Sequence, residues 1–168
     1  VSLVTKKGAE ESNTRYAQGG IAAVVSDEDS AEAHIRDTLE AGAGLCNPEV
    51  VEVTVREGPR HVAELLDMGA CFSRMENGQL SLGREGGHSH HRVVHADDWT
   101  GRELVRILLD AVRSDARVTV FEDHLALDLI VDTDGRCRGA WVCGEPQSDS
   151  EIQSFVAPVT LLATGGAG

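Results

Sequence analysis

The sequence predicts an α/β fold carrying a small β-meander, and three observations point there. Apolar residues recur at helical spacing over 31–41, 48–57, 59–68 and 104–112. Short β-branched runs at 118–121, 125–131 and 139–143 are separated by turn residues. The order is helices first, then a strand, a meander and a last apolar strand, which fits neither an all-helical nor an all-β chain.

Taken in order, Val1–Thr5 alternates as a short strand and ends at the Lys6-Lys7-Gly8 turn. Asn13–Val25 is glycine-rich and then apolar, so it reads as a binding loop running into a buried segment. Ser30 caps a helix over Ala31–Ala41, with Gly42 as its left-handed stop. Asn47-Pro48 opens a helix near Pro48–Glu57. A separate helix is expected over Pro59–Met68, with Val62, Leu65 and Leu66 inward and Gly69 ending it. An irregular loop follows between Phe72 and Asp98. Thr100-Gly101-Arg102-Glu103 fits a capping box for a helix with Leu104, Ile107, Leu108, Ala111 and Val112 on its stripe. Val118–Phe121 and Leu125–Val131 read as strands, Asp132–Gly135 as a turn, and Gly139–Cys143 and Phe155–Ala163 as further strands.

A chain of 168 residues is long enough for one domain with its own core. The formal charge of −13, with Lys6 and Lys7 the only lysines, excludes the basic footprint that nucleic-acid phosphates require. The acidic runs Asp27–Asp37, Asp123–Asp134 and Glu145–Glu151 read as solvated faces and loops. No apolar run reaches the length of a membrane span. Cys46, Cys71, Cys137 and Cys143 lack metal or disulfide-framework spacing, so a reduced, cytoplasmic setting is expected. The chain opens directly on an apolar strand and stops on a glycine turn with no crossover after it, so it is expected to be part of a larger enzyme.

The densest chemistry lies in Arg84-Glu85-Gly86-Gly87-His88-Ser89-His90-His91-Arg92, followed by His95-Ala96-Asp97. Cations crowd one carboxylate while the glycine pair keeps the backbone thin, which suits a pocket for a small anion with arginine as bidentate partner. A metal site is the competing reading, but the histidines lack the i, i+4 spacing of a zinc helix and the arginines would repel a divalent cation. Glu85 should stay ionised among these cations and could accept hydrogen bonds from a substrate ammonium. Its plain alternative is a salt bridge to Arg84 or Arg92. His34 and His61 read as packing or surface residues on helices, and His124 as a group making backbone contacts. Gly19-Gly20 lets a backbone approach a planar or phosphorylated ligand, or simply turns the chain. Thr164-Gly165-Gly166 follows an apolar run, where open α/β sheets place ligands, or merely ends a strand.

With these residues in view, the chain resembles the L-aspartate oxidase family, within the succinate dehydrogenase/fumarate reductase flavoprotein superfamily. Asn13–Gly20 with Ile21-Ala22-Ala23-Val24, Arg84–His91, His95-Ala96-Asp97 with Thr100-Gly101, and Leu162–Gly166 match it in order and spacing. The resemblance implies a Rossmann-like FAD-binding domain, of which residues 1–168 are one part, with 114–163 holding the meander and a strand returning to the main sheet. The GxGxxG strand and the capping domain would lie elsewhere. It implies that Lys6 lies near the adenosine ribose. Asn13, Thr14, Arg15, Tyr16, Ala17, Gln18, Gly19 and Gly20 would line the pyrophosphate and isoalloxazine. Ala126 would meet adenine through its backbone, and Thr164, Gly165 and Gly166 would close over the cofactor.

Covalent relatives carry a histidine where this chain has Asn13, so the resemblance implies non-covalent FAD. They also carry an apolar aromatic where this chain has Glu85, the acid that in aspartate oxidases meets the substrate amino group. The implied reaction is hydride transfer from L-aspartate to flavin, giving iminoaspartate in de novo NAD biosynthesis, with oxygen or fumarate as acceptor and a functional link to quinolinate synthase. No metal is implied. Residues 1–168 alone are expected to be neither active nor a good FAD binder. Two alternatives stand beside this: a soluble fumarate reductase-like flavoprotein, and a non-catalytic metal- or anion-binding module.

Overall fold

A computed structural model describes residues 1–144 and 151–165. The elements, in chain order, are β1 (Ser2–Val4), a 3-10 turn (Asn13–Tyr16), β2 (Ile21–Ala22), α1 (Ala31–Ala41), α2 (Pro48–Asp67), β3 (Leu82–Gly83), β4 (Val93–Val94), α3 (Thr100–Ser114), β5 (Thr119–Phe121), β6 (Leu125–Val131), β7 (Cys137–Cys143) and β8 (Ile152–Val156). They form two compact units, one from 1–13 with 109–168 and the other from 14–108. The mixed helix-and-sheet layout is the one the sequence predicts.

In the first unit β1 and β5 pair in parallel, Leu3 opposite Val120. Thr5 N–H donates to the Phe121 carbonyl at 3.0 Å and His124 N–H to the Thr5 carbonyl at 3.0 Å, so the end of β1 is tied to the turn after β5. His124 thus makes the backbone contacts expected of it. The strands β6, β7 and β8 form an antiparallel meander in that order. The turn 132–135 closes as expected, with Asp132 N–H on the Arg136 carbonyl and Gly135 at φ 77°. Gly139 sits at φ 142°, and any Cβ there would collide with the Phe155 carbonyl, so only glycine lets β8 come this close. The Phe121 ring sets its edge against Phe155, with centroids 4.8 Å apart.

The last apolar run departs from expectation. Strand structure ends at Val156, and Val159, Leu161 and Leu162 are exposed, so Val159–Ala163 is not a strand among the described residues. An apolar run becomes a strand only when a neighbour takes up its backbone groups, and none of the described residues does so here. Gly166 and the acidic residues 145–150 lie outside the described residues.

In the second unit Ala23, Val62, Ala70, Phe72, Val94 and Ile107 form the core, flanked by Ile21, Leu65, Leu66 and Leu104. Ser30 caps α1 through the Ala33 N–H, and Asn47 caps α2 through Glu49 and Val50, both as expected. Four local expectations are corrected. Gly42 is right-handed (φ −73°) and still donates to Thr38, and the reversal falls on Ala43 (φ 48°) and Gly44 (φ 86°). A Cβ at 42 would displace the Cys46 sulfur, which would have to swing aside. The two helices expected on either side of Pro59 are one helix, α2. Val55 and Val62 are two turns apart on one face and both buried, and burying each side chain is worth roughly 1.5–3 kcal/mol, comparable to the cost of about 3 kcal/mol for an interior proline. The capping box is not formed: the Thr100 hydroxyl accepts the Ala96 N–H at 3.0 Å, and Glu103 accepts the Cys71 N–H at 2.6 Å. On α3, Leu108 is exposed at 46% while Leu109 is buried, so the inward stripe is rotated from the expected one.

Candidate functional site

In the first unit, Lys6 follows the carboxyl end of β1 and its side chain is exposed. Asn13 is exposed at the end of the same segment, and Gly165 lies beside it: a Cβ on Gly165 would stand 3.6 Å from the Asn13 amide nitrogen. That is ordinary spacing, so glycine is needed at 165 for its left-handed φ of 84° rather than for room. Thr164 is exposed next to it. Ala126 pairs with Val142 on β6, the outer strand of the meander, and the register shifts directly after it. The structure therefore brings Asn13 and Gly165 together and leaves Ala126 on a strand at the edge of the meander.

In the second unit, Thr14–Gly20 forms a surface strip whose shape is set by glycines elsewhere. Ala17 N–H donates to the Thr14 carbonyl at 3.1 Å, and Gly101 N–H donates to the Ala17 carbonyl at 3.0 Å. A Cβ on Gly101 would collide with the Thr14 carbonyl, so the start of α3 is the bed on which this turn rests. Gly20 is equally constrained, since a Cβ would collide with the Val94 carbonyl and sit 2.5 Å from the Val93 methyl. Gly19 has nothing within 4 Å. The pair thus divides: Gly20 serves packing on β4, while Gly19 faces open space. Thr14, Tyr16, Ala17 and Gln18 are exposed, and Arg15 is half-buried.

The histidine-rich loop leaves Gly83 and returns at Arg92, whose N–H closes the stem on the Gly83 carbonyl at 3.0 Å. Glu85 sits in a turn in which His88 N–H donates to its carbonyl (3.2 Å) and its own N–H donates to His88 Nδ1 (3.4 Å). The Glu85 carboxylate is exposed and, among the described residues, has no hydrogen bond or ion pair. The plain alternative for Glu85, a salt bridge to Arg84 or Arg92, is not made among the described residues. Arg92 is fully buried and committed: Nε and Nη2 bind Asp29 at 2.8 and 2.9 Å, and Nη1 binds Asp37 at 2.8 Å. It therefore cannot serve as the bidentate partner of a substrate carboxylate, which corrects the basic-pocket expectation for this arginine. The histidines diverge: His88 packs edge-on to His34, His90 reaches the Ser89 hydroxyl, and His91 reaches the Leu82 carbonyl. Among the described residues no group of three metal-ligating side chains gathers.

Two residues that composition alone did not single out organise this loop. Asp29 and Asp37 read as a solvated acidic face, yet both are buried against Arg92. The signal for Asp37 was its place on the α1 face shared with the buried Ala33 and His34. Burial alone would push the Asp37 carboxyl up, but hydrogen bonds from the Ser89 hydroxyl, the Ser89 N–H and Arg92 outweigh it and hold the group at about 2. Burial, reinforced by Arg92 and His88, lowers the His34 pKa, and its Nδ1 has no hydrogen-bond partner among the described residues.

A pH dependence follows. The folded Asp37 pKa of about 2 lies below its ordinary 3.8, so its contribution to stability is present above about pH 4 and is lost as pH falls toward 2. Hydrogen exchange of α1 across that window should show the loss in the wild type and a flatter response in Asp37→Asn. Equal slopes in the two proteins would contradict it.

The chain matches the FAD binding domain family over residues 1–168. It is 50% identical over 171 residues to the chloroplastic L-aspartate oxidase of Arabidopsis thaliana, covering 100% of this chain and 26% of that protein. It is 46% identical over 169 residues to the L-aspartate oxidase of Streptomyces coelicolor, covering 99% of this chain and 29% of that one. The chain therefore spans under a third of the length of these relatives. Among solved structures, E. coli quinol fumarate reductase FrdA superposes with a TM-score of 0.80 at 34% identity, covering 84% of this chain and 24% of that one. No helix among the described residues is long and apolar enough to cross a membrane. Fold, motif placement and full-length family match agree, and the chain belongs to the FAD binding domain family.

Proposed function

We propose that this chain is the flavin-binding part of an enzyme that oxidises L-aspartate to iminoaspartate, feeding NAD biosynthesis. The observation that carries the reading is Glu85: an exposed carboxylate with no hydrogen bond or ion pair among the described residues, in a turn held from both sides by His88. Identity of 46–50% to L-aspartate oxidases supports the same substrate.

The residues present fit FAD. Gly19 leaves open space beside an exposed backbone strip, Gly165 turns the chain next to the Asn13 amide, and β6 places Ala126 at the edge of the meander. Lys6, Asn13, Thr14, Arg15, Tyr16, Ala17, Gln18, Gly19, Gly20, Ala126, Thr164 and Gly165 would hold the cofactor. Asparagine has no ring nitrogen to bond to flavin, so Asn13 implies non-covalent FAD. The bound flavin supplies hydride acceptance. The chain's own part is recognition: Glu85 would accept hydrogen bonds from the substrate ammonium, which succinate lacks. A site built for that bond discriminates strongly against a ligand without it.

Glu85→Gln keeps the size and removes the charge. Because a hydrogen bond to a charged group is worth about 1.5–3 kcal/mol, kcat/KM for L-aspartate should fall about 10- to 150-fold in the full-length protein, with activity on succinate changed little. An equal loss on both substrates would remove Glu85 from substrate recognition. A second reading, a fumarate reductase-like flavoprotein acting on a plain dicarboxylate, draws on the FrdA likeness. It predicts succinate preference and indifference to Glu85→Gln.

Oxygen or fumarate would take the electrons, and a functional link to quinolinate synthase would follow from the product. We place the enzyme in the cytoplasm, on cysteine spacing that fits neither a metal site nor a disulfide framework, although the Arabidopsis relative is chloroplastic.

A further inference from the structure

The Glu85 loop is fixed at more points than a surface loop needs. Its stem is closed by Arg92 N–H on the Gly83 carbonyl. Its middle rests on α1 through the edge-on contact of His88 with the buried His34 and through Gly87, whose Cβ would stand 3.3 Å from Ala41. Its far side is held by one oxygen: Asp37 Oδ2 accepts the Ser89 N–H at 2.7 Å, the Ser89 hydroxyl at 2.7 Å and Arg92 Nη1 at 2.8 Å. Arg92 in turn grips Asp29, in the segment leading into α1, through two hydrogen bonds. Three separated stretches of chain thus meet at one guanidinium that is 0% exposed.

Stability is a poor reason for such an arrangement. Desolvating two carboxylates and a guanidinium costs about as much as their attraction returns, and apolar replacements of similar volume are often as stable. What a fully satisfied buried network does supply is a single geometry. The group four residues before Ser89 in this loop is the carboxylate of Glu85, which has no partner among the described residues.

We propose that Asp29, Arg92 and Asp37 form a positioning clamp, acting through Ser89, that fixes the Glu85 turn, so that substrate discrimination depends on residues that never touch substrate. The inference rests on the reading of Glu85 as the ammonium acceptor. The clamp residues are positioning residues, and their effect must run through Glu85.

The test is a double-mutant cycle in the full-length flavoprotein, with the ratio of kcat/KM for L-aspartate to that for succinate as readout. Asp37→Asn should lower this ratio about tenfold, the loss of one charge-assisted hydrogen bond, and should lower it no further once Glu85 is already Gln. Ser89→Ala, at an exposed position, should give a smaller loss, about threefold, with FAD affinity unchanged; it decides the question by the same criterion where Asp37→Asn does not fold. Equal losses on both substrates, or the same loss with and without Glu85, would make the clamp purely structural and overturn the proposal. If Glu85→Gln alone leaves the ratio unchanged, the Glu85 reading itself fails, and the proposal with it.

Discussion

Gly101→Ala is expected to empty the flavin site of the full-length protein. The new methyl would be driven into the Thr14 carbonyl, and its second neighbour is the Ala17 carbonyl at 2.9 Å. Both are backbone atoms, so no rotamer change relieves the clash, and the turn at Thr14–Ala17 must move off the start of α3. Overpacking of this kind costs about 1–3 kcal/mol, which corresponds to a rise in the FAD dissociation constant of about 5- to 150-fold if the displaced turn is a cofactor wall. Titrating the apoprotein with FAD measures it directly. Gly8→Ala is the control, since nothing lies within 4 Å of that position. Unchanged FAD affinity in Gly101→Ala would show that the turn is not part of the cofactor site.

Arg92→Met is expected to destabilise the unit containing residues 14–108 by about 3–5 kcal/mol, because it leaves two buried carboxylates facing a thioether. Denaturant unfolding of the full-length protein, read through hydrogen exchange of α1, checks the size. Replacing the two aspartates by leucine together with Arg92→Met should recover much of that loss, since no buried charge then remains unpaired. Stability would return without the positioning that charge supplies. A single substitution that cost less than about 1 kcal/mol would mean that water reaches the pair, contrary to the full burial of Arg92.

The sequence carried the local chemistry well. Caps at Ser30 and Asn47, the Asp132–Gly135 turn and the strand over Leu125–Val131 are set by neighbours within a few residues, and the structure has them as read. Misreadings arose where a distant partner decides. Pro59 looked like a break because its effect is local, whereas the burial of Val55 and Val62 that overrides it is tertiary. Thr100 looked like a cap until its hydroxyl was claimed by the turn before it. Val159–Ala163 had a strand's composition but lacks a pairing neighbour among the described residues.

The candidate site followed the same division. Glu85 could be singled out by its cationic surroundings, but the fate of those cations could not. Arg92 reaches partners 63 and 55 residues away, which no local pattern encodes. Likewise Gly19 and Gly20 are alike in sequence, and only the path of β4 shows that one serves packing and the other faces open space.

Anaerobic flavin reduction tests the central claim most directly. The full-length protein, loaded with FAD, would be mixed without oxygen with L-aspartate in one syringe and succinate in another, and bleaching of the oxidised flavin band followed. Rapid bleaching by L-aspartate and slow or absent bleaching by succinate is the predicted result. Equal bleaching by both, or a preference for succinate, would contradict the account and place the chain with the dicarboxylate reductases.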